Sequence, residues 1–407
     1  MILFKPFKST YLFLFLFLNF QLISCAQKPP ENNKNDPKKS AIIKTGAERT
    51  RLYLNLLRGK NVAIVANQTS IIEKTKKKKT FVSLIDSLLS LGIKIKKVFA
   101  PEHGFRGKAD AGETIKDGFD TKTGLPIISL YGKNKKPSAE QLKNIDVVVF
   151  DIQDVGARFY TYISSLHYVM EACAEVGIPV IILDRPNPNG HYIDGPVLEL
   201  QHKSFVGMHK VPVVYGMTIG EYGKMINGEK WLKNGIHCNL TVIPLENYNH
   251  KTDYSLPVKP SPNLPNNKSI NLYPSLCFFE GTNVSAGRGT EMQFQIYGSP
   301  FLAKSEFTFI PKQNEGSKYP KYKNNLCFGE NLQSTKNLNQ LNLNWLLKAY
   351  EQNSSDEFFN SFFTKLAGTT KLQEQIEGGL SEEQIRKTWK EDLKAFEKTR
   401  NKYLIYE

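Results

Sequence analysis

"DVVVFDIQDVGARFYTYISSLHYVMEACAEVGIPVIILD", residues 146–184, begins and ends on apolar runs that no charged residue interrupts. Such a run has no face to offer water, so each reads as a strand buried on both sides. The stretch between them, from Tyr160 on, reads as a helix that stops at Gly177. Strand, helix and strand in this order form a βαβ unit, whose two strands are parallel.

The same grammar extends upstream. "VAIVA" at 62–66 is a short apolar run that ends at "NQTS". Phe81, Leu84, Ile85, Leu88 and Leu89 then recur at the spacing of one helix face. "IKIKKVFA" at 93–100 and "LPIISLYG" at 125–132 add two strands. The expected fold is α/β, a parallel sheet covered by helices on both faces. No GxGxxG follows the first strand and no GxxxxGK[ST] occurs, which argues against dinucleotide and P-loop chemistry.

In open parallel sheets the ligand crevice lies beyond the carboxyl ends of the strands. Glu102 stands two residues past one strand, Asp151 ends another, and Asp184-Arg185 end a third. Glycine- or proline-rich sequence follows each of them. The first belongs to "APEHGFRG", residues 100–107, which also carries His103 and Arg106. Three acids at one edge mark a functional crevice.

The chain has 407 residues, long enough for two domains, and its 40% apolar content can fill their cores. Texture changes at 244–269, "PLENYNHKTDYSLPVKPSPNLPNNKS", which reads as a linker or long surface loop. We place the domain boundary at 265/266, giving domains over 46–265 and 266–407. "GTNVSAGRGTEMQFQIYG" at 281–298 reads as a binding loop carrying Arg288. Near the end, Gly378-Gly379 break the chain, Ser381 and Gln384 form a capping box, and Ile385, Trp389, Leu393 and Phe396 follow at helical spacing.

The N-terminus has two lysines, an apolar stretch from Tyr11 to Phe20, and then Leu22-Ile23-Ser24-Cys25. That pattern suits an export signal over 1–24, with Cys25 lipidated at a lipobox-like site and 25–45 as a disordered tether. The expected location is the bacterial cell envelope, periplasmic and lipid-anchored to a membrane. Cys173, Cys238, Cys277 and Cys327 are widely spaced and contain no CxxC, so they read as isolated buried thiols rather than metal ligands. A formal net charge of +15 favours anionic partners, yet export and the lack of a nucleic-acid motif argue against nucleic acid. "KTKKKK" at 74–79 reads as a solvated helix start.

Glycoside cleavage needs a carboxylic acid to protonate the leaving oxygen and usually a second carboxylate. Glu102, Asp151, Asp184 and Glu280 are candidates by position. His103 could act as acid or base, or ligate a metal with Asp151, Asp154 and His167. Ser261 and Ser285 lack a GxSxG context, which disfavours serine hydrolysis.

"APEHGFRG", "VVVFDIQDVGARFYTYI", "ILDRPNPNG" and "FFEGTNVSAGRGT" resemble the signature blocks of the NamZ-type exo-β-N-acetylmuramidases, in the family's order. The resemblance runs from about residue 46 to the C-terminus. It implies a Rossmann-like catalytic domain, a smaller α+β auxiliary domain, and a site in the cleft between them. It also implies hydrolysis of terminal N-acetylmuramic acid from the non-reducing end of peptidoglycan fragments, with no cofactor and no metal. Glu102 matches the family's proposed catalytic acid; His103, Asp151 and Glu280 stay open as its partner. The sugar's lactyl carboxylate calls for arginine, and Arg106, Arg158, Arg185 and Arg288 all fall in these blocks. Asn67, Tyr160, Asp184 and Asn283 complete the candidate binding set. Two other readings remain: a lipoprotein that binds muropeptides without cutting them, and a glycan esterase or deacetylase.

Overall fold

The structure is a computed structural model that describes residues 1, 42–75, 80–102, 104–105 and 117–407. It divides into two units, Met1–Ile42 and Ile43–Glu407. The expected signal, most of the tether and Cys25 lie outside the described residues, as do His103, Arg106 and four of the lysines at 74–79. No helix among the described residues is long and apolar enough to cross a membrane.

Twelve strands occur among the described residues of the second unit: β1 Val62–Ala66, β2 Ile71–Thr75, β3 Thr80–Ser83, β4 Ile95–Ala100, β5 Gly118–Phe119, β6 Pro126–Ser129, β7 Val147–Asp151, β8 Val180–Leu183, β9 Leu240–Ile243, β10 Ile296–Ser299, β11 Thr308–Phe309 and β12 Cys327–Asn331. Seven form the central sheet in the order β5-β6-β4-β1-β7-β8-β9, parallel throughout except for the antiparallel edge pair β5–β6. The apolar runs are central because both their faces are covered. Ala63, Val65, Val148, Phe150, Val180 and Ile182 pack on one side with Ile163, Leu166 and Met170 of the helix Tyr162–Glu175. Val62, Ile64, Val147, Val149, Ile181 and Leu183 pack on the other with Leu84, Ile85 and Leu88 of the helix Leu84–Ser90. The alternation follows from the two-residue period of a strand. Gly177, at φ 71°, ends the crossover helix as its position suggested.

The C-terminal region contains helices and the antiparallel sheet β10-β12-β11. Its Phe278, Leu341 and Trp389 belong to the same buried core as one face of the central sheet. The final helix, Glu382–Arg400, has the expected capping box, and its Ile385, Trp389 and Phe396 are buried, while Leu393 is partly buried.

Three expectations are corrected. Phe81 lies in β3, not in the helix, which begins at Leu84. Lys74 belongs to β2 of a β2–β3 hairpin, not to a helix start. Residues 244–269 are not a free linker: Ser261, Asn263 and Leu264 are buried, and the Pro260 carbonyl accepts from Tyr160 Oη at 2.9 Å and from Gln68 Nε2 at 3.0 Å. Proline and asparagine made the segment look solvated, whereas its main-chain carbonyls dock it to the segments that follow β1 and β7.

Arg158 also finds a structural place instead of a substrate. It is fully buried and donates to the Pro196 and Val211 carbonyls at 2.8 Å each, and to those of Leu366 and Ala367 at 2.8 and 2.7 Å. One guanidinium thereby ties the loops above the sheet to the C-terminal helix Phe363–Ala367. Arg158→Met takes a donor from four buried carbonyls, of which only that of Val211 keeps another among the described residues, Leu198 N at 3.1 Å. We expect it to lower unfolding free energy by about 3–5 kcal/mol, read as a shifted denaturant midpoint.

Candidate active site

The chain leaves β1 for β4 on one side and returns to β7 on the other, so the strand order reverses at β1. Ligand crevices form at such a point, outside the carboxyl ends. The loop after β1 is tied across it: Ser70 Oγ donates to the Asp151 carbonyl, and Thr69 Oγ1 accepts from Gln153 N at 3.0 Å. A cavity of about 350 Å³ opens here, lined by Asn67, Ser70 and Phe105 together with Phe81 and Val82 of the β2–β3 hairpin.

Glu102, two residues past β4, is half-buried at this edge. Its Oε2 accepts from Thr161 Oγ1 at 2.8 Å, and its main-chain carbonyl accepts from Tyr162 Oη at 3.4 Å. Asn67 Nδ2 donates to that same Tyr162 hydroxyl at 2.9 Å. Tyr131, on the loop after β6, hydrogen-bonds the carboxylate; burial first and the Glu102 charge second raise its phenol pKa above the usual value.

The other strand-end acids have structural partners. Asp151 is fully buried, and Arg185 grips it with Nε at 2.6 Å and a terminal nitrogen at 2.9 Å. Burial raises the Asp151 pKa, and the Arg185 charge opposes that rise. Asp184 is also fully buried and accepts from Arg185 N, Gly220 N, Thr218 Oγ1 and Tyr406 Oη at 3.0, 2.8, 2.7 and 2.7 Å. Neither Asp151 nor Asp184 is free to act on substrate, and Arg185 is occupied with them. The sequence places acids correctly along the edge but does not say which of them sink into it.

The glycine-rich loop carries a second set of candidate residues. Gly287 and Gly289, at φ 80° and 78°, flank Arg288. A Cβ on Gly289 would stand 2.6 Å from the Lys312 carbonyl oxygen, so the backbone there requires glycine. Arg288 Nε donates to Glu280 Oε1 at 2.9 Å, and its guanidinium lies 5.1 Å from the centre of the Phe294 ring. Phe294 holds φ 51°, a left-handed conformation that costs a bulky residue about 1–3 kcal/mol. Aromatic rings then continue edge to face from Phe294 to Tyr273 at 4.9 Å, Tyr273 to Tyr160 at 5.9 Å and Tyr160 to Tyr162 at 4.9 Å. Tyr162 is the residue already bonded to Glu102.

Residues 62–268 match the family model for the N-terminal part of the exo-β-N-acetylmuramidase NamZ, and residues 271–406 match that for its C-terminal part. The chain belongs to the NamZ family. It is 38% identical to the peptidoglycan β-N-acetylmuramidase NamZ of Bacillus subtilis strain 168, an alignment spanning 98% of this chain and all of that one. Two crystal structures of DUF1343 family proteins from Bacteroides fragilis share the fold. One has a TM-score of 0.82 at 44% identity, covering 90% of this chain and 99% of its own. The other has a TM-score of 0.76 at 29% identity over the same shares.

The remaining candidates of this NamZ chain are dispersed. Tyr160 gives its hydroxyl to Pro260 and contributes its ring to the aromatic row. Asn283 donates to Asn353 Oδ1 and to the Glu357 carbonyl, both at 2.9 Å, and so braces the glycine-rich block from outside. His167 pairs with His209 at 2.9 Å and lies 3.4 Å from Glu171, which leaves it unavailable to Asp151 and Asp154. Among the described residues no three His, Cys, Asp or Glu side chains could hold a metal together, and Cys173, Cys238, Cys277 and Cys327 are free and buried. Thr161, Tyr131, Tyr273 and Lys321 were missed. Thr161 stands inside the quoted "FYTYI", beside the one tyrosine singled out there, whereas Tyr131 and Lys321 carry no local signal.

Burial raises the Asp184 pKa from 3.8 to about 7, although the Tyr406, Thr218 and Gly220 donors pull it down. The folded protein therefore holds a proton there across a range in which the unfolded chain has released it. That contribution is complete below about pH 4 and is lost as pH rises to 7. Chemical denaturation from pH 4 to 7 should show this loss, up to about 4 kcal/mol, and the Asp184→Asn protein should lack that part of the slope.

Proposed function

We propose that the chain is an exo-acting β-N-acetylmuramidase that removes terminal N-acetylmuramic acid from the non-reducing end of peptidoglycan fragments, with Glu102 as general acid. Membership of the NamZ family and the activity named for the Bacillus subtilis relative support the reaction class. One observation carries the residue assignment. Of the three acids at the carboxyl edge, Asp151 and Asp184 are fully buried, whereas Glu102 is half-buried and held by the hydroxyls of Thr161 and Tyr131. Hydroxyl partners orient a carboxyl group without neutralising it.

In the reaction the bond between C1 of the terminal sugar and its bridging oxygen breaks. The departing oxygen takes the Glu102 proton, water supplies the hydroxyl that ends on C1, and the second proton of that water restores the Glu102 carboxyl group by way of solvent. We propose further that the enzyme works in the bacterial periplasm, tethered through a lipid on Cys25. Leu22-Ile23-Ser24-Cys25 and the polar stretch behind it support this reading.

Glu102→Gln keeps the side chain's shape but has no proton to give. Turnover of natural muramyl disaccharides should fall by about 10²–10⁴-fold, while an activated nitrophenyl muramide, whose leaving group needs little protonation, should lose less. Product binding and the thermal melt should be unchanged. Full activity on the disaccharide would remove Glu102 from the acid role. For the anchor, Cys25→Ser should move the protein from membranes to the soluble envelope fraction with its activity intact, and a Cys25 that takes up no labelled fatty acid would end that proposal.

A further inference from the structure

N-acetylmuramic acid differs from N-acetylglucosamine by its lactyl group, whose carboxylate is ionised near neutral pH. An enzyme that separates the two sugars needs a cation with donors to spare. Arg158 spends both terminal nitrogens on main-chain carbonyls, and Arg185 spends its Nε and a terminal nitrogen on Asp151. Arg288 is different. It meets Glu280 through Nε, and among the described residues no acceptor engages its two terminal nitrogens. Its side chain is 22% exposed, so it is open to a ligand from solvent.

The surroundings hold that fork in one orientation. Gly287 and Gly289 turn the backbone on either side, Phe294 lies beneath the guanidinium, and Glu280 fixes the Nε edge. Lys321 completes the arrangement. Its buried ammonium donates to the carbonyls of Phe279, Thr282 and Val284, which bracket Glu280, at 3.1, 2.5 and 3.0 Å. Burial lowers the Lys321 pKa, the Glu280 carboxylate works against that, and Arg288 adds to it, so the three charges stand in one another's field. Two cations and one anion leave a net positive charge of one, which a substrate carboxylate neutralises. The Tyr273 hydroxyl, between the two ends of the aromatic row, feels both Arg288 and Glu102.

We propose that Arg288 is the receptor for the lactyl carboxylate of the substrate, that Glu280 is its positioning acid rather than a second catalytic group, and that Lys321 is the positioning cation that holds the Glu280 segment. The proposal rests on the muramidase reading and deepens it. The carboxylate takes the two terminal nitrogens of Arg288 in a bidentate pair.

The test compares kcat/KM for a chromogenic β-N-acetylmuramide with that for the matching β-N-acetylglucosaminide. Wild type should prefer the muramide. Arg288→Gln should lower the muramide value by about 30-fold or more, mainly through KM, with much less effect on the glucosaminide, so that the preference collapses. Arg288→Lys, which keeps the charge but not the fork, should fall between the two and serves the same measurement if Arg288→Gln does not fold. Glu280→Gln and Lys321→Met should also act on the muramide KM, and Lys321→Arg should restore part of it. An Arg288→Gln enzyme that keeps the wild-type preference overturns the proposal and leaves the muramidase reading standing. Equal loss of kcat on both substrates in Glu280→Gln makes Glu280 catalytic and overturns its positioning role. A wild-type enzyme that fails to cleave the muramide overturns the muramidase reading itself, and the proposal falls with it.

Discussion

Asp151, the last residue of β7, and Arg185, two residues past the adjacent parallel strand β8, neutralise each other where water does not reach. A lone charge at that depth would cost several kcal/mol, so each is tolerable only in the other's presence. The pair joins the strand ends on one side of the switch point. Through Ser70, which bonds the Asp151 carbonyl, it also fixes the loop after β1. The segments after β1, β7 and β8 start from this floor.

The same floor explains why similar acids have different fates. Asp151 is the last residue of β7, its neighbour Ala66 ends β1, and a residue in that register has core on both sides. Glu102 lies beyond β4, after a proline, where the chain has already left the sheet. Two residues of loop are enough to change a buried charge that must be paired into a carboxyl group that can meet a ligand. Asp184 follows β8 directly and is covered by Thr218, Gly220 and the C-terminal Tyr406, so the end of the chain closes over it.

Across the crevice the chain depends on backbone freedom rather than on strand geometry. Two glycines in left-handed conformations present Arg288, and a strained Phe294 supports it. Strain of this kind persists only where the surroundings over-determine the backbone. Lys321 and Tyr322, which bonds the Asn283 carbonyl, supply that constraint from a distant loop. The buried aromatic row then packs this loop against the segment that holds Glu102.

Much of this was legible in the chain alone. Uninterrupted apolar runs at 62–66, 147–150 and 180–183 have only one stable arrangement, a parallel sheet covered on both faces, and the acids behind them must lie along its carboxyl edge. The flanking glycines marked Arg288 as a presented side chain, and the capping box announced the last helix, because these signals depend on neighbours in sequence. Phe81 was misplaced since one residue at helical spacing cannot outweigh a hairpin partner. Which acids are buried, which arginine keeps free nitrogens, and that Lys321 braces a segment some forty residues away are matters of three-dimensional pairing. The acids are sorted by donors from distant segments, and Arg158 and Lys321 are placed by main-chain carbonyls, which every residue carries and no sequence pattern reveals, so only the tertiary structure could decide them.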